Sequence, residues 1–291
     1  MPVFRSFLFA PGNHPRRVEK CLSLGADAVI LDLEDAVANA EKAGTRAVVV
    51  EALRRPRRCR GYVRVNALGT PWCHGDFVAV VAQGVDGIVL PKVESASELQ
   101  TAEWLLGALE REHGLAEGSI DLIPIIETAA GFARMAEIAG AARRARRLAF
   151  GAGDFTLDLG INWSSEEPDL LPYRSPFVAH PRAAGLEPPI DTVWVSLKEP
   201  EGFARSVQRA KDLGFQGKLC IHPDQVPVVN ACFQPGEAEL AHARRVVAAF
   251  AQAERDGLAA IQVDGQFVDY PIVYRAERLI ARADAIAQAA R

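Results

Sequence analysis

Eight short apolar runs recur along the chain, each followed by a segment with helical periodicity. They are Ser6 to Pro11, Ala28 to Leu33, Gly61 to Asn66, Gly87 to Lys92, Leu122 to Glu127, Leu148 to Asp154, Thr192 to Leu197 and Lys218 to Ile221. Apolar runs this short, alternating with helices, mark strands of a parallel sheet covered on both faces. Eight such units is the count of a TIM (β/α)8 barrel, and 291 residues can form one such domain. Punctuation supports the division: Pro11-Gly12-Asn13 breaks the first run, Pro15 suits a first helical turn, and Gly25 ends the helix that follows.

Polar residues collect at one end of these runs: Asp32, Glu34, Asp35, Arg64, Asn66, Lys92, Glu127, Asp154 and His222. Ligands of parallel α/β proteins bind beyond the carboxyl ends of the strands, so this one-sidedness points to an enzyme. Glu127 and Asp154 each close an apolar run. If their strands are neighbours, both acids enter one mouth, and two carboxylates with waters and substrate oxygens suit Mg2+. The competing expectation is that each acid caps the helix after it. Gly151 and Gly153 are expected to let backbone approach a ligand closely.

Two segments exceed a plain barrel. Residues 155–189, rich in Pro, Ser and acids, read as a loop with short helices beside the site. After the eighth run come helical patterns over 236–256 and 271–288, separated by a hairpin signal at Asp264-Gly265. The expected division is a catalytic barrel over 1–235 and a helical extension over 236–291 that covers the barrel bottom or reaches a neighbouring subunit.

The net charge of −4 gives no electrostatic footprint for nucleic acid, and no apolar run is long enough for a membrane span. The N-terminus reads as a strand rather than a signal peptide. Five cysteines without a C-x-x-C pair fit reduced thiols in a cytosolic protein. The basic runs 54–60 and 143–147 precede strands, which places them at the non-catalytic face, where solvated helix ends are expected. Arg16 and Arg17 follow the first strand and could meet a phosphate. His222 reads equally as a ligand, a base or a hydrogen-bonded strand end. The other histidines lack zinc-site spacing, and the sequence has no Walker loop and no nucleophile elbow.

The segments Arg5 to Pro11, Gly25 to Val37, Val63 to Asn66, Leu90 to Lys92, Ile125 to Glu127, Phe150 to Asp154 and Gly265 to Pro271 together resemble the citrate lyase β-subunit family. That group includes stand-alone citryl-CoA, malyl-CoA and citramalyl-CoA lyases and belongs with the HpcH/HpaI aldolases. The resemblance runs through nearly the whole chain, and the block Leu31-Asp-Leu-Glu-Asp-Ala-Val37 is its most specific part. It implies a TIM barrel assembled as a trimer or dimer of trimers, with Mg2+ on Glu127 and Asp154. It also implies that Arg64 binds the oxo-acid carboxylate, that Glu34 and Asp35 hold metal-bound waters, and that Asp269 enters a neighbouring subunit's site. The chain departs from the pattern in having Gly151-Ala-Gly-Asp-Phe155 where several relatives have Gly-x-Glu-Asp-Tyr, and in ending the seventh run with Val195-Ser-Leu-Lys198 rather than acids.

The expected function is a Mg2+-dependent carbon–carbon lyase that cleaves a 3-hydroxyacyl-CoA thioester to acetyl-CoA and a 2-oxo acid. Asp269 is the candidate acid/base, and Arg64, Gly151, Gly153 and Arg16 are candidate substrate contacts. Alternatives are a class II aldolase acting on free hydroxy-oxo acids, the β-subunit of a multi-component citrate lyase partnered by an acyl-carrier protein, and a binding protein on an inactive barrel.

Overall fold

The computed structural model describes residues 4–289. Eight strands pair in parallel in chain order: β1 (Ser6–Pro11), β2 (Ala28–Asp32), β3 (Arg60–Arg64), β4 (Gly87–Leu90), β5 (Asp121–Ile126), β6 (Ala149–Phe150), β7 (Ile190–Asp191) and β8 (Gly217–Cys220). The last pairs with the first, Phe7 facing Leu219, so the sheet closes. The connections carry α1 (Pro15–Cys21), α2 (Lys42–Arg54), α3 (Cys73–Val80), α4 (Ala96–Glu112), α5 (Ala129–Ala133), α6 (Met135–Ala141), α7 (Ala152–Leu159), α8 (Leu171–Ala183) and α9 (Pro200–Leu213). Beyond β8 lie α10 (Gln225–Phe233), α11 (Glu237–Arg255), β9 (Ala260–Val263), β10 (Gln266–Asp269) and α12 (Tyr270–Ala289). The fold is a TIM barrel with C-terminal helices, as the eight runs imply.

Side chains alternate across a strand, so every second residue enters the barrel. Phe7, Ala28, Ile30, Tyr62, Val89, Ile123, Ile125, Ala149, Ile190 and Leu219 fill its interior. At the N-terminal end Phe4 caps the stack, with the Arg147 guanidinium 4.8 Å from its ring. The basic runs depart from the solvated expectation here. Arg147 is 1% exposed and pairs with Asp121 and Glu187, while Arg144 pairs with Glu110 and Arg57 with Asp86. Acids distant in sequence turn these arginines inward, which the local charge run does not reveal.

Two further elements differ from expectation. The seventh strand is Ile190–Asp191, not Thr192–Leu197. Asp191 sits fully buried because Arg174 and Lys218 satisfy it, and the chain leaves the sheet at Thr192. Val195 and Leu197 are then 56% and 55% exposed. The stretch 155–189 contains a full 13-residue helix, α8, despite Pro176 and Pro181 in its interior. Each proline removes a backbone donor. Aromatic packing offsets the loss: Phe155 lies 4.9 Å from Tyr173, and Phe150 5.0 Å from Phe177.

Contacts group Phe4–Asn230 as one compact unit and the residues from Ala231 onward as another. In the second, α11 and α12 pack over the β9–β10 hairpin around Val246, Phe250, Val268 and Val273. Asp264 and Gly265 both take positive φ, 51° and 80°, the conformation of a two-residue hairpin turn. Among the described residues no helix is long and apolar enough to cross a membrane.

Candidate active site

The interior rows of the barrel continue past its C-terminal rim and become the walls of a cavity of about 350 Å3. Phe7 leads to Phe9 and Pro11, Ile30 to Asp32, Tyr62 to Arg64, Ile125 to Glu127, Ala149 to Gly151, Ile190 to Thr192, and Leu219 to Ile221. The period of two that packs the core thus aims these side chains into the mouth. Gly153, Asp154, Val193 and Arg17 complete the charged and apolar parts of the lining.

Arg64 organises the charged side. Its Nε and Nη2 donate to the two carboxylate oxygens of Asp32 at 2.7 and 2.6 Å, a bidentate pair. Its Nη1 lies 3.0 Å from Glu34 Oε2, yet that oxygen receives no aligned hydrogen bond and is buried without one. Burial opposes the Arg64 charge, but Asp32, Glu34 and Glu127 outweigh it and hold the guanidinium firmly protonated. Burial likewise opposes the Asp32 charge, and Arg64 reverses the effect, keeping that carboxyl below its ordinary range.

Lys92 ties the acids together. Its Nζ donates to Glu34 Oε1 at 2.6 Å and its backbone N–H to Glu127 Oε1 at 2.9 Å. The residue adopts φ 53°, a conformation rare for side-chain-bearing residues and concentrated at functional sites. Beneath it, buried Lys42 donates to the Leu33 and Glu34 carbonyls and to Asn66 Oδ1. Asp76 in turn accepts from the Asn66 backbone and side chain. This scaffold fixes the turn that presents Glu34.

Glu127 is 3% exposed, and its Oε2 has no hydrogen-bond partner. Burial, then the negative charge of Glu34 and of Asp154, push its carboxyl up to about 8 against the opposing pull of Arg64. Gly151 stands beside it: a Cβ there would come within 2.7 Å of Glu127 Cβ. The glycine is therefore required by the approach of Glu127 rather than by that of a ligand. A Cβ on Gly153 would meet nothing within 4 Å.

Asp154 does not close a strand. The chain turns into α7 after Phe150, and Asp154 sits in that helix's first turn. Neither acid is a helix cap. Thr128 caps α5 by accepting from Gly131 N–H, and α7 has no side-chain cap. Ala152 N–H goes instead to Thr192 Oγ1 at 2.8 Å, while the Gly153 and Asp154 N–H groups have no backbone acceptor.

The remaining sequence candidates disperse. Arg17, not Arg16, lines the cavity, since the two project differently from α1. Asp35 is exposed, with Lys92 Nζ at 3.5 Å. His222 Nδ1 accepts from Asp224 N–H at 3.3 Å outside the lining. Asp269 belongs to the C-terminal unit, where its Oδ1 accepts from Ile272 N–H at 3.4 Å. The roles of Asp32, Lys92 and Thr192 are additions from the structure. Only the register β2 to β3, Asp32 facing Arg64, could have announced the first.

The donor set fits a hard divalent cation. Among the described residues no cluster of three or more His, Cys, Asp or Glu is built to cage a metal, but Glu127 and Asp154 share the cavity beside the orphaned Glu34 Oε2. Two carboxylates with room for waters and ligand oxygens is the arrangement Mg2+ takes.

A profile described as HpcH/HpaI aldolase/citrate lyase matches residues 5–223. The citrate lyase subunit beta of Leuconostoc mesenteroides subsp. cremoris is 38% identical over 283 residues, covering 97% of this chain and 93% of that protein. The (3S)-malyl-CoA thioesterase of Cereibacter sphaeroides (strain ATCC 17029) is 37% identical over 290 residues, covering 98% and 96%. The crystal structure of protein CitE from Mycobacterium tuberculosis, in complex with magnesium, acetoacetate and coenzyme A, has a TM-score of 0.77 at 33% identity, covering 97% and 98%.

Proposed function

The chain belongs to the HpcH/HpaI aldolase/citrate lyase family, and from that premise we propose that it is a Mg2+-dependent carbon–carbon lyase cleaving a 3-hydroxyacyl-CoA thioester to acetyl-CoA and a 2-oxo acid. The observation that carries this reading is the meeting of Glu127, Asp154 and Arg64 in one cavity beside a Glu34 oxygen that accepts no hydrogen bond. Glu127 and Asp154 would hold the metal, and Glu34 a water on it, with Asp35 contributing from the solvent side. Bound there, Mg2+ would supply Lewis-acid polarisation of the oxygen that becomes the oxo-acid carbonyl.

The chain's own groups do the rest. Arg64, locked by Asp32 through Nε and Nη2, would meet the substrate's carboxylate end with its Nη1 side, which it shares with Glu34. Gly153 and Asp154 offer backbone N–H groups at the start of α7. Asp269 of a second copy, in a trimer or dimer of trimers, takes the substrate hydroxyl proton. The C–C bond then breaks, its electron pair delocalises into the thioester carbonyl, and the same proton returns to the enolate carbon as acetyl-CoA forms. Asp269→Ala is accordingly expected to lose turnover while keeping Mg2+ affinity by calorimetry. Turnover at the wild-type rate would place the base elsewhere.

The test is a mass-spectrometric assay with Mg2+ on citryl-CoA, malyl-CoA, citramalyl-CoA and free hydroxy-oxo acids. Acetyl-CoA released from a thioester supports the lyase. Turnover of a free aldol alone supports a class II aldolase. The relatives named citrate lyase subunit beta favour a second reading, in which the thioester rides on an acyl-carrier protein. Cleavage of the carrier-bound thioester, with silence on CoA thioesters, would establish it.

A further inference from the structure

The cavity wall across from Arg64 is mostly apolar. Strand order sets β7 on the far side of the barrel from β3. The β7 and β8 side contributes Val193, Leu219, Ile221 and one polar side chain, Thr192. Neighbouring residues fix the direction of that side chain. Ile190 fills the barrel interior, and Asp191 is held by Arg174 and Lys218, so the alternation of the strand turns Thr192 towards the cavity. Thr192 is 0% exposed.

A threonine hydroxyl carries one donor proton and two acceptor lone pairs. Thr192 Oγ1 uses an acceptor position on the Ala152 N–H, at 2.8 Å. Its proton finds no acceptor among the described residues, the cavity acids Glu127 and Asp154 included. The other buried hydroxyls all place theirs. Ser6 donates to Asn230 Oδ1, Thr45 to the Glu41 carbonyl, Thr156 to the Ala152 carbonyl and Ser206 to Glu167 Oε2. Buried polar groups are nearly always paired, so an exception in the wall of a cavity calls for a specific cause. The Ala152 N–H also polarises the hydroxyl, which makes its proton a stronger donor.

We infer that Thr192 is a substrate-binding residue, whose hydroxyl proton goes to an oxygen of the bound 2-oxo acid on the side of the mouth away from Arg64. The Gly153 and Asp154 N–H groups occupy the next two positions of α7 and have no backbone acceptor. The hydroxyl therefore stands in for the Ala152 N–H at the head of a short row of donors. An acid oxygen suits such a row, because an ionised acceptor makes the stronger hydrogen bonds. The inference rests on the lyase reading for the identity of the ligand. The unplaced proton itself does not depend on that reading.

The experiment is calorimetric titration of the Mg2+-loaded protein with pyruvate, in wild type, Thr192→Ser and Thr192→Val, beside Mg2+ titration without pyruvate. Thr192→Val keeps the side-chain shape and removes the hydroxyl. It is expected to weaken pyruvate binding about ten-fold or more, the scale of one hydrogen bond to a charged group, and to leave Mg2+ affinity unchanged. Thr192→Ser keeps the donor and is expected to retain most of the affinity. Wild-type pyruvate affinity in Thr192→Val, or no pyruvate binding by the Mg2+-loaded wild type, overturns the inference. So does a parallel loss of Mg2+ and pyruvate affinity in Thr192→Val, which would make Thr192 only an anchor for α7 and Asp154. If the valine variant does not fold, Thr192→Cys keeps the size with a weaker donor. It is expected to bind pyruvate several-fold more weakly than Thr192→Ser, and equal affinity in the two overturns the inference. Turnover of the CoA thioesters by wild type tests the lyase reading separately. A Thr192-dependent pyruvate site with no thioester cleaved keeps the inference and removes that reading.

Discussion

Of the buried ion networks in the barrel unit, two are built to opposite specifications. Between β7, β8 and helices α8 and α9, Arg174 bridges Asp191 and Glu167, with Lys218 on Asp191 and Ser206 and Arg209 on Glu167. Both oxygens of both acids are hydrogen-bonded there. At the mouth, Arg64 and Lys92 stand against four carboxylates, those of Asp32, Glu34, Glu127 and Asp154. One Glu34 oxygen accepts no hydrogen bond, and Glu127 is pushed towards its neutral form. The first network is complete in itself. The second holds more carboxylates than cations, the imbalance that a bound cation relieves. Burial and charge alone do not separate a structural network from a functional one; the unmet balance does.

The largest effect that would sharpen this contrast is at the mouth. Glu127→Ala or Asp154→Ala should abolish calorimetric Mg2+ binding and lower turnover by roughly 1,000-fold or more, the scale of losing a principal electrostatic group. Retained binding in either variant would erase the difference between the networks. Glu127→Gln, by contrast, should leave urea stability without Mg2+ unchanged or raised, since it removes an uncompensated buried acid.

In the complete network the expectation inverts. Arg174→Met should cost about 3–5 kcal/mol in urea unfolding, because it breaks a buried pair from one side, with little loss of turnover per folded molecule. A small stability change with lost turnover would show that this network serves the reaction as well. Next comes Lys92→Ala, which removes the Nζ bond to Glu34. It is expected to weaken Mg2+ binding by about 10–100-fold, as loss of a group orienting metal ligands does.

A separate effect is on pH dependence. With metal chelated, the Glu127 carboxyl titrates at about 8 in the folded state against 4.5 unperturbed, so the folded protein binds the extra proton between those values. Its contribution to stability is full below about 4.5 and is lost as pH rises through about 8. The stability of wild type relative to Glu127→Gln should therefore fall across that window, and saturating Mg2+ should remove the slope. A flat difference would mean that Glu127 is charged and paired without the metal.

Much of the barrel was legible because its code is local. The runs at Ala28, Gly61, Gly87 and Leu122 became strands within a residue or two of expectation, and Asp264-Gly265 became the hairpin turn. Where expectation failed, distant partners had overridden local pattern. Thr192–Leu197 alternates like a strand, but Arg174 and Lys218 pull Asp191 into the sheet instead. Arg144 and Arg147 read as solvated until Glu110, Asp121 and Glu187 draw them inside. The prolines of α8 argued against a helix that Phe150, Phe155 and Phe215 hold in place.

The candidate site divides in the same way. Sequence alone placed Asp32, Arg64 and Glu127 at the carboxyl ends of their strands and so at one mouth, because in a parallel barrel those ends all lie on one face. Tertiary structure decided how those side chains use one another. Arg64 loses an edge to Asp32, Lys92 bends backwards to reach Glu127, and Gly151 makes room for a carboxylate rather than a ligand. The physical reason is that a strand's end sets which face a residue reaches, whereas pairing depends on distances of a few ångströms between residues brought together only when the barrel closes.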